Sequence, residues 1–367
     1  MEQVLEKLRG SAGRTLEELS ALLNYTRGTL EKALKLLEVD GAVVREERKF
    51  CRSATAWEAS LMRAEQVTGH RRAELAQIKQ YVEHTGCLME FLARALDDPT
   101  AAACGKCMNC AGQNDRRLPP PELVQAATEF LRGDALIFEP RTYWPKPVLE
   151  ELEKQLPEIL ERFDTGRPKV AIPERLRPRE GRVLCLYGDA GWGGEVARGK
   201  YRDGQFSDAL VQAAADLILK RWRPEPAPKW VTAIPSRRHT ELVLGFARRL
   251  AAKLELPFLP VLSQRGDTRP QKEMLNSTMQ LRNVLGAFAV CEPPADPGAD
   301  WRQKVTPLAA TVAGAGARAR LPASPVLLVD DMVDSKWTIT MASVLLQQHG
   351  SGPVYPFALA SSSLRGS

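Results

Sequence analysis

Four cysteines inside one short stretch constrain this chain more than any other feature. From Cys87 to Cys110 it reads CLMEFLARALDDPTAAACGKCMNC, with sixteen residues between Cys87 and Cys104 and two between each later pair. Zinc takes four soft ligands at tetrahedral corners, about 2.3 Å from the metal. The turn Cys104-Gly105-Lys106-Cys107 is short enough to present two thiolates to one ion, and Gly105 permits the sharp reversal this needs. Cys110 adds a third ligand from the next turn. Leu88, Phe91, Leu92, Ala95 and Leu96 recur at helical spacing, so a helix is expected to start at Cys87 and return the chain to that turn. Buried free thiols and disulfides are the alternatives. With no secretory leader and no apolar run of membrane length, a cytoplasmic, reducing setting is expected, which disfavours disulfides. Cys87, Cys104, Cys107 and Cys110 are therefore the expected ligands of a structural Zn2+. Four thiolates close the coordination sphere and leave no position for a catalytic water. Cys51, Cys185 and Cys291 are scattered and are expected to be small buried hydrophobes.

The ligand interval, the helix after the first cysteine and the Cys-x-x-Cys-x-x-Cys ending resemble the zinc-binding subdomain of RecQ-family DNA helicases. The resemblance implies the accessory region that follows the motor of such a helicase, with DNA as a partner. It also implies a second partner, the N-terminal helicase motor of the same polypeptide. ATP and Mg2+ would be cofactors of that motor alone. The implied place is the bacterial cytoplasm, at the nucleoid. A net charge of +6 agrees with a nucleic-acid partner. Gly194 to Lys200, GEVARGK, fits the spacing of a phosphate-binding loop, but Tyr201 follows where a Ser or Thr must hold magnesium. No ATP site is expected there, and the chain holds no other candidate for a motor.

Residues 1–50 read as three short helices and a hairpin. Thr15-Leu16-Glu17-Glu18 is a capping box, followed by the apolar stripe Leu16, Leu19, Leu22 and Leu23. Thr26 or Thr29 caps a third helix carrying Leu30, Ala33, Leu34 and Leu37. Asp40-Gly41 then turns the chain into a strand with a basic tip at Arg45, Arg48 and Lys49. This order makes a winged helix, with Arg27 and Lys32 of its third helix near DNA phosphates. Protein docking is the other use of such a module. In RecQ helicases the winged helix follows the zinc module, and here it precedes it, so a rearranged subgroup is implied. Between the two, residues 51–60 read as extended and Leu61 to Thr85 as a charged helix whose basic residues either face DNA or pair with neighbouring Glu.

Gly112 to Pro121 reads as a linker. Glu122–Leu131 and Val148–Phe163 read as helices, and Arg182–Tyr187 as a strand. From about Val196 strands and helices alternate. Val231–Ile234, Val326–Val329 and Val354–Ala360 read as strands, the last closing the sheet, with Gly286–Val290 a further candidate. After Val329 come Asp330-Asp331-Met332-Val333-Asp334-Ser335-Lys336-Trp337-Thr338, which open the helix Ile339–His349. A buried strand that empties into two carboxylates, hydroxyl groups and a helix N-terminus is suited to a sugar phosphate: the helix end holds the phosphate and the carboxylates hold ribose hydroxyls. Adjacent carboxylates repel, and Lys336 is the neighbour in sequence able to offset them.

This pattern resembles the phosphoribosyltransferase signature. Arg269-Pro270-Gln271-Lys272 through Leu281-Arg282-Asn283 resembles the covering loop of the ComF-type members, although Arg and Asn are adjacent here where the family spaces them. Arg237 and Arg238 fall where the family has its pyrophosphate loop. The family's phosphate-loop Gly is Lys336 here, followed by the bulky Trp337. These departures point to a non-catalytic binding domain for phosphate or a nucleotide. The alternative is an active phosphoribosyltransferase regulated by the other modules. The expected fold is thus multidomain α/β: a winged helix (1–50), a helical four-cysteine zinc module (51–117), a small connecting α+β module (118–195) and a phosphoribosyltransferase-like α/β domain (196–367) with a mainly parallel sheet. Its site residues would be Asp330, Asp331, Ser335, Lys336, Thr338, Arg237 and Arg238.

Overall fold

The computed structural model describes residues 1–54, 57, 61–112, 119–133, 135–156, 170–236, 240–266, 268–291 and 321–362. They form two units, Met1–Ser53 with Gln125–Ser367, and Ala54–Val124. The first begins with α1 (Glu2–Leu8), β1 (Arg14–Thr15), α2 (Leu16–Leu22), α3 (Arg27–Val39), β2 (Val43–Glu46) and β3 (Lys49–Arg52). Thr15 and Glu18 close the capping box on α2, at 3.2 and 2.8 Å. The Thr26 hydroxyl caps α3 by accepting from the Thr29 amide. Both caps satisfy amides that a helix start leaves without partners. Val4, Leu5 and Leu8 of α1, Leu19 of α2, and Leu30, Leu34 and Leu37 of α3 are all buried. The hairpin β2–β3 gains β1 as a third strand, antiparallel to β3. A strand of two residues, the second of them the first residue of the capping box, is too short to show a period, so β1 left no trace in the pattern.

In the second unit lie α4 (Leu61–Glu83) and α5 (Leu88–Ala95). Chain order continues with α6 (Pro121–Gly133), β4 (Leu136–Phe138), β5 (Tyr143–Trp144), α7 (Leu149–Gln155), β6 (Val170–Ala171), β7 (Gly181–Leu186) and α8 (Gly193–Arg198). Then come α9 (Asp208–Asp216), β8 (Trp230–Ala233), α10 (Thr240–Lys253), β9 (Leu262–Gln264), α11 (Ser277–Val284), β10 (Phe288–Val290), β11 (Val326–Val333), α12 (Trp337–Gln348) and β12 (Val354–Ser361).

The main sheet runs β4-β7-β12-β11-β8; β4 is an antiparallel edge and the other four strands are parallel. Side chains alternate across it, as the two-residue period of a strand requires. Leu327 and Val329 of β11 join an apolar layer with Phe206, Leu210 and Phe246, while Val326 and Leu328 join Trp144, Leu152 and Trp337 on the other face. Three features differ from expectation. β12 lies in the middle of the sheet instead of closing it. β10 pairs with β9 in a separate ribbon. And β7, with β4, belongs to this sheet, so the sheet crosses the expected boundary at 195/196. A parallel strand declares its apolar run but not its neighbours, because the partner arrives through long-range pairing.

The N-terminal helices pack on the α/β part. The Asn276 side chain donates to the carbonyls of Ser20, Leu23 and Tyr25 at 3.0, 2.9 and 3.1 Å. Asn24 returns two bonds, to the Glu273 carbonyl and from the Leu275 amide, both 2.8 Å. Arg282 reaches the Ala21 carbonyl and pairs with Glu151 at 2.7 Å.

Candidate functional site

The four cysteines of the second unit converge. Their sulfurs all lie within 4.8 Å of one another, and Cys87 and Cys107 are 3.9 Å apart. An ideal tetrahedron with bonds of about 2.3 Å has edges of about 3.8 Å, so the cluster is close to the size a bound ion needs. Cys87 stands at the N-cap of α5, where its sulfur accepts from the Glu90 amide at 3.4 Å and from the Cys104 amide at 3.2 Å. Cys104 accepts from the Cys107 amide at 3.2 Å. Gly105 takes the left-handed φ of +68° that the turn requires. Asn109 ties the turn back to the chain before Cys87 through the carbonyls of His84 and Gly86, at 2.7 and 2.8 Å.

Those amide donors favour thiolates. The Cys110 amide leads in holding the Cys107 thiol down to about 6, and the Cys104 amide leads in lowering Cys87. The last proton is hard to remove: hydrogen bonding with Cys107, then with Cys87, pushes Cys110 up to about 12. Four sulfurs this close cannot all ionise without a cation among them. The donor set therefore fits a metal ion, held by Cys87, Cys104, Cys107 and Cys110. Once bound it would supply a cross-link, and with four protein ligands it would leave no reactive position.

The second cluster lies at the C-terminal end of β11. Asp330 is buried, at 7% exposure, and accepts from the Asp331 amide at 2.8 Å. Burial first, and the Asp331 charge second, raise its carboxyl well above the ordinary range. Asp331 pairs with Lys200 Nζ at 2.8 Å. Burial alone would lower the Lys200 ammonium, but the Asp331 carboxylate overrides it and holds the group up. The offset to the carboxylates thus comes from Lys200, the last residue of the GEVARGK stretch, and not from Lys336. No local pattern links Lys200 to Asp331; the fold brings the turn that follows α8 to the C-terminal end of β11.

Lys336 is the N-cap of α12 and has φ +68°, a conformation natural to Gly and costing about 1 kcal/mol for a side chain. Burial lowers its ammonium and nearby Arg141 lowers it further, with Glu139 opposing. Arg141 donates from Nε to the Ser335 carbonyl at 3.1 Å. Two cations therefore crowd the N-terminus of α12, beside the expected Ser335 and Thr338. Ser335 is buried, and its hydroxyl oxygen lies 3.2 Å from Gln271 Nε2. Asn283 holds that Gln271 at 2.7 Å, so the loop from Arg269 comes down on the carboxylate loop. Arg282, by contrast, is committed to Glu151 and backbone carbonyls. Trp337 is an anchor: 1% exposed, stacked on Trp144 at 5.9 Å, with its N–H on Ser277 Oγ at 2.8 Å. Arg237 and Arg238 lie outside the described residues. Arg141 was missed in the sequence because nothing nearby marks it.

On the N-terminal module, Arg27, Lys32, Arg45, Arg48 and Lys49 are all exposed. Arg27 pairs with Glu31 at 2.8 Å, and Arg45 donates to the Glu47 carbonyl and lies over the Phe50 ring. Glu46 and Glu47 interrupt the basic tip, and Glu47 takes φ +53° in the hairpin turn. The five cations share one small module but not one continuous stripe. Compared with family models, curated proteins and solved structures, the chain matches none of them.

Proposed function

We propose that this chain is the DNA-binding accessory region of a RecQ-like ATP-dependent helicase, cross-linked by zinc. The convergence of four cysteine sulfurs at this spacing carries the reading. The three helices and three-stranded sheet at the N-terminus support a winged helix, with Arg45, Arg48 and Lys49 on its hairpin and Arg27 and Lys32 on α3. The parallel sheet, the Asp330–Asp331 pair and the Gln271 loop support a phosphoribosyltransferase-like domain. In this reading it binds a phosphate-bearing ligand at Ser335–Thr338 but transfers no group. A side chain at φ +68° stands where backbone amides must close on the phosphate, and Trp337 is committed to the core.

One observation favours active transfer: the Gln271 loop is already seated on Ser335. Two measurements decide. Elemental analysis is expected to find one zinc per chain, and binding to a forked duplex is expected to weaken steeply with salt. Well-folded protein without metal, or no DNA binding at low salt, ends the helicase reading. Pyrophosphate release from phosphoribosyl pyrophosphate plus a base, lost in Asp330→Asn, would replace it with the enzyme.

A further inference from the structure

At the opposite end of the main sheet, where β12 begins, a cleft of about 310 Å³ is lined by Arg175, Arg177, Arg179, Glu174, Gln347 and Ser351. We propose that this cleft is a second anion site, taking a phosphate-bearing ligand. Its position is fixed by the fold. The Arg179 amide donates to the Val354 carbonyl at 2.9 Å, which pins the arginine segment to the first residue of β12. Arg177 Nε donates to the Ile172 carbonyl at 2.6 Å, which holds one guanidinium at a fixed angle. Gln347 sits in the last turn of α12, and its Nε2 is buried with no hydrogen-bond partner among the described residues.

The lining is therefore rich in donors. Guanidinium groups only donate, and a buried amide N–H without an acceptor costs about 1–3 kcal/mol. A ligand that supplies acceptor oxygens relieves that cost and meets the guanidiniums of Arg177 and Arg179, with Glu174 the one carboxylate among the lining residues. The C-terminal end of α12 opposes an anion with about half a negative charge, which those guanidiniums outweigh. Arginine suits phosphate because its planar fork gives two parallel bonds to two oxygens. The volume suits a phosphate with a sugar attached, at the lower end for small-molecule sites. The loop at Ser335–Thr338 lies at the other end of α12, about 18 Å away for twelve helical residues. The two sites are thus separate, and neither Asp330 nor Asp331 lines the second.

The test is calorimetric titration of the full, metal-loaded chain with pyrophosphate. The variants are Arg175→Ala/Arg179→Ala, Gln347→Leu and Lys336→Ala. Arg175 and Arg179 are exposed, so their removal should leave the fold intact, and a thermal melt checks this. The double variant is expected to weaken one binding event at least tenfold. Gln347→Leu should weaken the same event without altering charge, which a diffuse electrostatic effect would not do. Lys336→Ala should leave it in place. Unchanged pyrophosphate binding in both the double variant and Gln347→Leu overturns the proposal. If Lys336→Ala alone abolishes binding, the anion sits only at the Ser335 loop: the cleft proposal then fails and the proposed function stands. Competition by a short single-stranded oligonucleotide would identify the ligand as nucleic-acid backbone, and its absence a free phosphate compound.

Discussion

In the α/β unit, β11 lies between two apolar layers and its first five residues, through Asp330, are buried. In the unit Ala54–Val124, Cys87 is the one buried residue among those described; on α4, Val67, Leu75, Ile78 and Val82 are each more than half exposed. The first unit has the apolar area to offset chain entropy at roughly 25 cal/mol per Å² buried. Among its described residues the second does not. A short segment with so little buried apolar area needs a cross-link, and among those residues four converging sulfurs are the one feature able to supply it. The contrast teaches that similar helical patterning can rest on opposite sources of stability.

The largest effect should come from breaking the cross-link. Under the proposed zinc reading, Cys107→Ser, or a strong chelator, is expected to unfold Ala54–Val124 while the α/β unit keeps its melt, because a structural zinc contributes on the order of 10 kcal/mol. Hydrogen exchange resolved by segment checks this. Coincident loss of protection in both units would erase the contrast. Acid should act in the same direction, since protons compete for the sulfurs and Cys110, at about 12, binds its proton most tightly.

Next is Trp337→Ala, which tests the core-held unit. The ring is 1% exposed and bridges α12, Trp144 and Ser277, so its loss should cost about 3–5 kcal/mol in a denaturant titration. A loss below about 1 kcal/mol would mean the loop refolds around the gap, and would return Trp337 to the ligand site.

The carboxylate pair should split in sign. Asp331→Asn leaves Lys200, 16% exposed, without its partner and is expected to destabilise by about 1–3 kcal/mol. Asp330→Asn is expected to stabilise at neutral pH by about 1 kcal/mol. The sign follows from linkage: the folded carboxyl is raised, so its contribution is complete below the unfolded value near 3.8 and is lost as pH rises through the folded value. The gain from Asp330→Asn should therefore vanish in acid. Melts across pH check it, and a gain that persists below pH 4 would assign the effect to packing.

Much of this architecture was legible in order but not in space. The cysteine cluster, the caps at Thr15 and Thr26 and the strand before Asp330 are local signals, and each has a spacing or a residue type that declares it. What was lost is what the fold assembles from afar. Lys200 reaches Asp331 across most of the sheet's connectivity, Arg141 reaches Ser335 from the segment before β5, and β12 inserts between β7 and β11. Pairing partners carry no local periodicity. Gln271 does lie against the carboxylate loop at Ser335, while Arg282 is spent on Glu151 and Ala21.

The smallest effect sharpens the contrast by asking which unit meets nucleic acid. The hairpin tip carries Arg45, Arg48 and Lys49, but Glu46 and Glu47 lie among them, so the local excess is one positive charge. In the other unit α4 exposes Arg71, Arg72 and Lys79. Under the proposed reading, replacing the three hairpin cations by Ala should weaken binding of a forked duplex and lower the slope of log affinity against log salt by about one per lost phosphate contact. Arg27→Ala and Lys32→Ala on α3 should do less; Arg27 already pairs with Glu31, and exposed pairs are worth about 0–1 kcal/mol. The same substitutions at Arg71, Arg72 and Lys79 form the control. If they lower the slope and the hairpin changes do not, the four-cysteine unit is the DNA surface and the N-terminal module is a docking piece. That outcome fits its packing against Asn276, which already occupies the turn between α2 and α3.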